Sequence, residues 1–173
     1  YERLGTLAQM NPPIRDASHQ AALWAAIRSG LVDVLGSDHA PHSLEEKKKD
    51  WPASPSGMPG VQTLVPLMLD HVAAGRLSLE RFVDLTSAGP ARVFGMLGKG
   101  RLAPGFDADL TLVDLGTKRT ITNDWSKSKC GWTPFDGMQV TGWPIATISR
   151  GRVVMRDGAL VGKPGGQPVR FEV

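Results

Sequence analysis

The chain has 173 residues, 41% of them hydrophobic, which is enough to pack one large domain or two small ones and argues against a disordered segment. Its net charge of +3 comes from 20 basic and 17 acidic residues spread along the chain; the tightest cluster, Lys47, Lys48 and Lys49, follows Glu45 and Glu46 without aromatic residues between, and reads as a solvated loop rather than a nucleic-acid surface. Cys130 is the single cysteine, so an internal disulfide and a thiolate metal cage are excluded, and no apolar run approaches the ~20 residues of a membrane span.

A reducing, cytoplasmic setting is therefore expected. The first residues, "YERLGTLAQM", lack the basic and then apolar order of a signal peptide, and a chain opening on Tyr1 implies a start further upstream. "NPPIR" at 11–15 reads as loop, because consecutive prolines remove donors and hold the backbone extended. Residues 16–30 are predicted to form a helix that Asp16 or Ser18 caps, that places Leu23 and Ile27 on one face, and that Gly30 ends. The apolar, β-branched run 31–36 follows at once and reads as a buried strand, so the order is that of an α/β protein.

After the charged loop and the Pro/Gly-rich "WPASPSGMPG" at 51–60, helices are expected over 61–74, from Ser78 to about Thr86, and again from Pro90. A seam at 98–105 separates this part from one of short strands and glycine turns, with Arg150-Gly151 and Asp157-Gly158 as hairpin turns. Between them, Trp125, Trp132 and Trp143 read as anchors of a long loop.

"SDHAPH" at 37–42 carries the chemistry. An aspartate after a strand is ordinarily a turn or cap residue, and a histidine beside it a loop residue. In parallel α/β folds, however, side chains at the carboxyl end of a strand face the crevice where ligands bind. Asp38 holds that position. A carboxylate there can ligate a metal and accept a proton from water whose pKa the metal lowers. His39 and His42 form H-x-x-H, but Pro41 opposes the helical presentation of a zinc histidine pair, which leaves His42 better suited as a donor to an anionic substrate. His19 and His71 fall within predicted helices and read as surface or packing residues.

These motifs carry a resemblance. "NPPIR", "SDHAPH" and "AGPARVFGMLGKGRLAPGFDADLTLVD" at 88–114 resemble the carboxyl-terminal part of class I dihydroorotases, within the amidohydrolase superfamily, over nearly the whole chain. The resemblance implies an α/β fold: residues 1–98 as the last strands and helices of a (β/α)₈ TIM-type barrel, and 99–173 as part of a small β-sandwich domain. It implies Asp38 as metal-approaching residue, general base and acid, with Asn11, His42, Ser56 and Gly57 binding substrate. Asn11 and Asp38 lie 27 residues apart, which suits one βα step.

Zn2+ is the implied cofactor, and L-dihydroorotate and N-carbamoyl-L-aspartate the implied substrates, in pyrimidine biosynthesis. Two departures stand out. Gln62 occupies a position where relatives often carry glutamate, and no His-x-His occurs in the chain, whereas a whole barrel takes about 250 residues. The remaining metal ligands are expected in upstream sequence of the same polypeptide, and the chain alone is expected to be inactive.

Two alternatives stay open: a non-catalytic homologue that scaffolds aspartate transcarbamoylase, and a hydantoinase- or allantoinase-type cyclic amidohydrolase. A homodimer or a complex with aspartate transcarbamoylase is the expected assembly, without nucleic acid or membrane.

Overall fold

The computed structural model describes residues 1–172. The predicted first helix forms as α1 (Ser18–Ser29), with the Asp16 carboxylate accepting from the Ser18 N–H at 2.8 Å and Gly30 closing it at φ 86. Its inward face differs from the expected Leu23/Ile27 stripe. Trp24 and Ile27 pack against the core while Leu23 is 59% exposed, because Trp24 meets the edge of His71 with ring centroids 4.6 Å apart.

Residues 31–36 form no strand. A strand requires a laddered neighbour, and this run instead bonds to helical residues: Leu35 N–H donates to Leu85 O at 3.1 Å, and the Arg81 guanidinium donates to Val32 O while also holding Ile27 O of α1 at 2.8 Å. The charged loop also departs from expectation. It contains α2 (Leu44–Lys47), started by a capping box in which Ser43 Oγ accepts from Glu46 N–H at 3.2 Å and Glu46 Oε2 accepts from Ser43 N–H at 2.8 Å.

α3 (Leu64–Ala73) takes Pro66 in its first turn, where the missing N–H has no helical partner to lose. α4 (Leu79–Val83) is capped by Ser78, whose Oγ accepts from Arg81 N–H at 3.1 Å. A π-helical turn (Asp84–Ala88) joins it to α5 (Gly89–Val93). That turn presses Gly89 onto the 31–36 run so closely that a Cβ there would lie 2.2 Å from Asp33 O.

Beyond residue 109 the chain folds into an antiparallel sheet in the order β1 (Leu110–Thr120), β2 (Gln139–Ser149), β3 (Arg152–Arg156), β4 (Ala159–Leu160). Both predicted hairpin turns are present, with positive φ at Arg150 (47), Gly151 (78), Asp157 (51) and Gly158 (81), as two-residue turns require. β1 pairs with β2 from Leu110 opposite Ile148 to Thr120 opposite Gln139, broken by a bulge in which Asp114 Oδ1 accepts the Gly116 and Thr117 N–H groups.

One core gathers Leu69, Leu77, Phe82 and Leu85; a second gathers Ile121, Val140 and Trp143. α3 serves both, Leu69 on one side and Leu67 on the other. β2 is fastened to it by Thr141 N–H donating to Asp70 Oδ1 at 2.9 Å, and a Cβ on Gly142 would come within 2.5 Å of Leu69 Cβ. Among the described residues no helix is long and apolar enough to cross a membrane.

Candidate active site

Three segments meet around the motif residues: 9–11, 37–42 and 54–60. Their contacts are mostly backbone, so local sequence sets how closely they approach. His39 bridges Met58 in parallel, Ala40 N–H donates to Met58 O at 3.2 Å, and Gly57 N–H donates to Gln9 O at 2.9 Å. Glycine is needed at two contacts: a Cβ on Gly57, at φ 131, would lie 2.5 Å from Ala40 O, and one on Gly60 2.6 Å from Ser37 O.

Asp38 is exposed and left-handed at φ 43, a conformation that aspartate tolerates better than most residues because its short polar side chain bonds locally. His39 is committed to structure. Its Nδ1 accepts from the Gly60 and Val61 N–H groups at 3.1 and 3.3 Å, so the ring proton sits on Nε2. His42 Nδ1 lies 3.7 Å from Glu46 Oε2, and Ser43's two donors hold the Glu46 carboxyl below the usual carboxylate range, with His42 a smaller influence.

Asn11 and Ser56 line one cavity of about 750 Å³, together with Gln9, Met10, Pro13 and Trp51. Asp38 and His42 are not in its wall; they stand on the adjoining loop, which Gly57 contacts through Ala40. Gly57 itself is buried and its N–H is engaged, so its observed part is to let the loops close.

Several residues take a larger part in shaping the site than their sequence context indicates. Lys47, expected in a solvated loop, is 0% exposed; its ammonium donates to Gln9 O at 3.1 Å and Pro55 O at 2.7 Å. Burial pushes it below the ordinary lysine value. Trp132 is buried and its Nε1–H donates to His42 O at 2.8 Å, tying the Trp-rich loop to the histidine loop. Gln62 uses both ends of its amide on that loop, Nε2 donating to Trp125 O at 2.8 Å and Oε1 accepting from Lys127 N–H at 2.7 Å. The one local signal for any of this is the Ser43-x-x-Glu46 spacing of a capping box, in a stretch whose charge reads as solvated loop. Among the described residues, no three His, Cys, Asp or Glu side chains cluster as a metal site requires, so the residues present do not by themselves fit a zinc ion.

The amidohydrolase family profile matches residues 14–154. A dihydroorotase of Methanosarcina mazei is 45% identical over 95% of this chain, which spans 36% of that relative, and one of Halobacterium salinarum is 46% identical over 96% of the chain and 39% of its own length. The solved L-hydantoinase (dihydropyrimidinase) of Arthrobacter aurescens superposes with a TM-score of 0.90 at 40% identity, over 94% of this chain and 37% of that one. The chain thus spans little more than a third of the relatives it matches. Along that third, the match extends through the loop of Asp38 and His42 and most of the sheet, and on this ground the chain belongs to the amidohydrolase family.

Proposed function

We propose that the chain is the carboxyl-terminal portion of a dihydroorotase. Residues 1–98 would supply the last strands and helices of a (β/α)₈ barrel and 99–173 part of a small β domain, with the upstream part of the same polypeptide completing the catalytic mouth. The observation that carries this reading is the 45–46% identity to archaeal dihydroorotases along nearly the whole chain. The retained trio of Asp38, His42 and Asn11 supports an enzyme over a non-catalytic scaffold of aspartate transcarbamoylase. A cytoplasmic setting and assembly as a homodimer or with that transcarbamoylase belong to the same proposal.

The proposed reaction interconverts L-dihydroorotate and N-carbamoyl-L-aspartate. In hydrolysis Asp38 takes a proton from the water that adds to the ring carbonyl, then delivers it to the ring nitrogen as the C–N bond breaks. In synthesis the same proton runs backward. His42 donates to the substrate carboxylate, Asn11 to the ring amide, and Ser56, set by the Gly57 contact, closes on the ring. Zinc enters this proposal only with ligands from upstream sequence, and no step here is routed through it.

The likeness to an L-hydantoinase favours a second reading, in which the same fold opens a ring without a carboxylate. The full-length protein assayed on dihydroorotate, dihydrouracil and hydantoin separates the two. His42→Ala is expected to cut kcat/KM for dihydroorotate about tenfold or more relative to dihydrouracil, since a hydrogen bond to a charged group is worth roughly 1.5–3 kcal/mol. Asn11→Ala should lower both substrates alike. Preference for hydantoin, with ratios unmoved in His42→Ala, would install the second reading.

A further inference from the structure

A lysine wholly out of solvent is expected to have a carboxylate partner, because an ammonium loses its hydration on burial. Lys47 has none among the described residues: its two hydrogen bonds go to backbone carbonyls, Gln9 O at 3.1 Å and Pro55 O at 2.7 Å. The destinations matter. Gln9 stands two residues before Asn11, and Pro55 one residue before Ser56, and Asn11 and Ser56 line the same cavity.

Everything around Lys47 fixes it in place. Its own carbonyl accepts from Thr6 Oγ1 at 2.6 Å and from Ser54 Oγ at 3.2 Å, and the capping box of α2 sets the helix that carries it. Gln9 O accepts from Gly57 N–H as well as from Lys47, and the Gln9 amide donates to Ser54 O at 2.7 Å, while its Oε1 is buried with no hydrogen-bond partner among the described residues. The 9–11 and 54–57 segments are thus joined by two direct bonds and by the Lys47 ammonium, which reaches one carbonyl on each.

We propose that Lys47 is a positioning residue that locks the Asn11 and Ser56 segments at the spacing substrate binding needs. It touches neither substrate nor reacting atoms and acts through the two carbonyls it holds. As a statement about substrate, the proposal rests on the dihydroorotase reading; as a statement about the two segments, it stands alone.

The test uses the full-length protein carrying Lys47→Met, which keeps the length and packing of the side chain and removes its charge and donors. The KM for dihydroorotate is expected to rise about tenfold or more with kcat changed less than about threefold, the signature of lost ground-state binding. Hydrogen–deuterium exchange is expected to quicken in peptides covering 6–15 and 51–58 and to stay unchanged in β2. A purely structural lysine would instead speed exchange throughout and lower the active fraction at constant KM, and that result overturns the proposal.

If Lys47→Met does not fold, the double variant Thr6→Val with Ser54→Ala, which frees the Lys47 carbonyl, takes its place. A smaller KM rise with the same local exchange pattern supports the lock, and unchanged KM and exchange overturn it. Should the unaltered protein fail to turn over dihydroorotate, the functional reading falls, and the exchange pattern alone decides whether Lys47 joins the two segments.

Discussion

At Asp38 two demands fall on one residue. The backbone turns left-handed at φ 43, and the proposed reaction requires the exposed carboxylate to stay free to take a proton. Asparagine satisfies the first demand as well as aspartate does, since both accept the left-handed region, but it cannot accept a proton. Asp38→Asn in the full-length protein is therefore expected to leave the fold and substrate affinity nearly unchanged and to lower kcat by ~10²–10⁴, the usual contribution of a positioned general base. Circular dichroism, substrate titration and turnover on one preparation check the three parts. A variant keeping most of its kcat would remove Asp38 from the proton-transfer role.

His71 presents the opposite case at the same scale. Burial against Trp24, followed by the nearby Arg76 cation, lowers its pKa from 6.5, with Asp70 acting weakly the other way. The folded state therefore binds the His71 proton less readily than the unfolded chain does. Stability from this packing is whole above 6.5 and is lost as pH falls from there toward the depressed folded value. His71→Gln should flatten the dependence of the thermal midpoint on pH below 6.5 while leaving other acid-sensitive regions of the curve alone. An equally steep fall in the variant would assign that dependence to other groups.

Among the elements, those with local punctuation were legible in the sequence. Ser78 and Gly30 bound helices where expected, and Arg150-Gly151 and Asp157-Gly158 turn the hairpins, because caps and left-handed turns are decided within a few residues. The 31–36 run was misread as a formed strand because pairing depends on a neighbour that local sequence does not show. Lys47 was misread because charge predicts exposure unless distant carbonyls converge on the ammonium. The site loops were legible as motifs. Their attachment to the Trp-rich segment was not, for it depends on residues more than sixty positions away, as in the Gln62 clamp to Trp125 and Lys127.

That clamp needs an amide, which donates at one end and accepts at the other. Glutamate would set a carboxylate oxygen against Trp125 O, so Gln62→Glu is expected to destabilise the protein by about 1–2 kcal/mol at neutral pH. The new carboxyl's folded pKa would be raised, since only its protonated form can donate. The loss should therefore shrink as pH falls through that raised value, and denaturant midpoints at pH 7 and pH 5 compare the two conditions. A penalty independent of pH would assign the effect to packing.

At the scale of the whole molecule, the sheet and the helical part share α3, and the motif loops draw on both. The loop of His42 is held by Trp132 from the sheet side, and the 54–60 loop closes on Ala40 from the other. What the described residues do not assemble is a set of metal donors: Asp38 is exposed, His39 spends its Nδ1 on two backbone N–H groups, and no three candidate ligands cluster. Catalytic zinc generally takes three protein ligands and a water. The 173-residue chain by itself is therefore expected to lose added zinc on dialysis and to show no turnover of dihydroorotate, whereas a longer protein that includes its upstream sequence should retain zinc and turn over. Metal analysis of both after dialysis, alongside circular dichroism to establish that the short chain is folded, makes the comparison. Stoichiometric zinc kept by the folded short chain would mean that its own residues form a metal centre, and the proposal that the site is completed from upstream would fall with it.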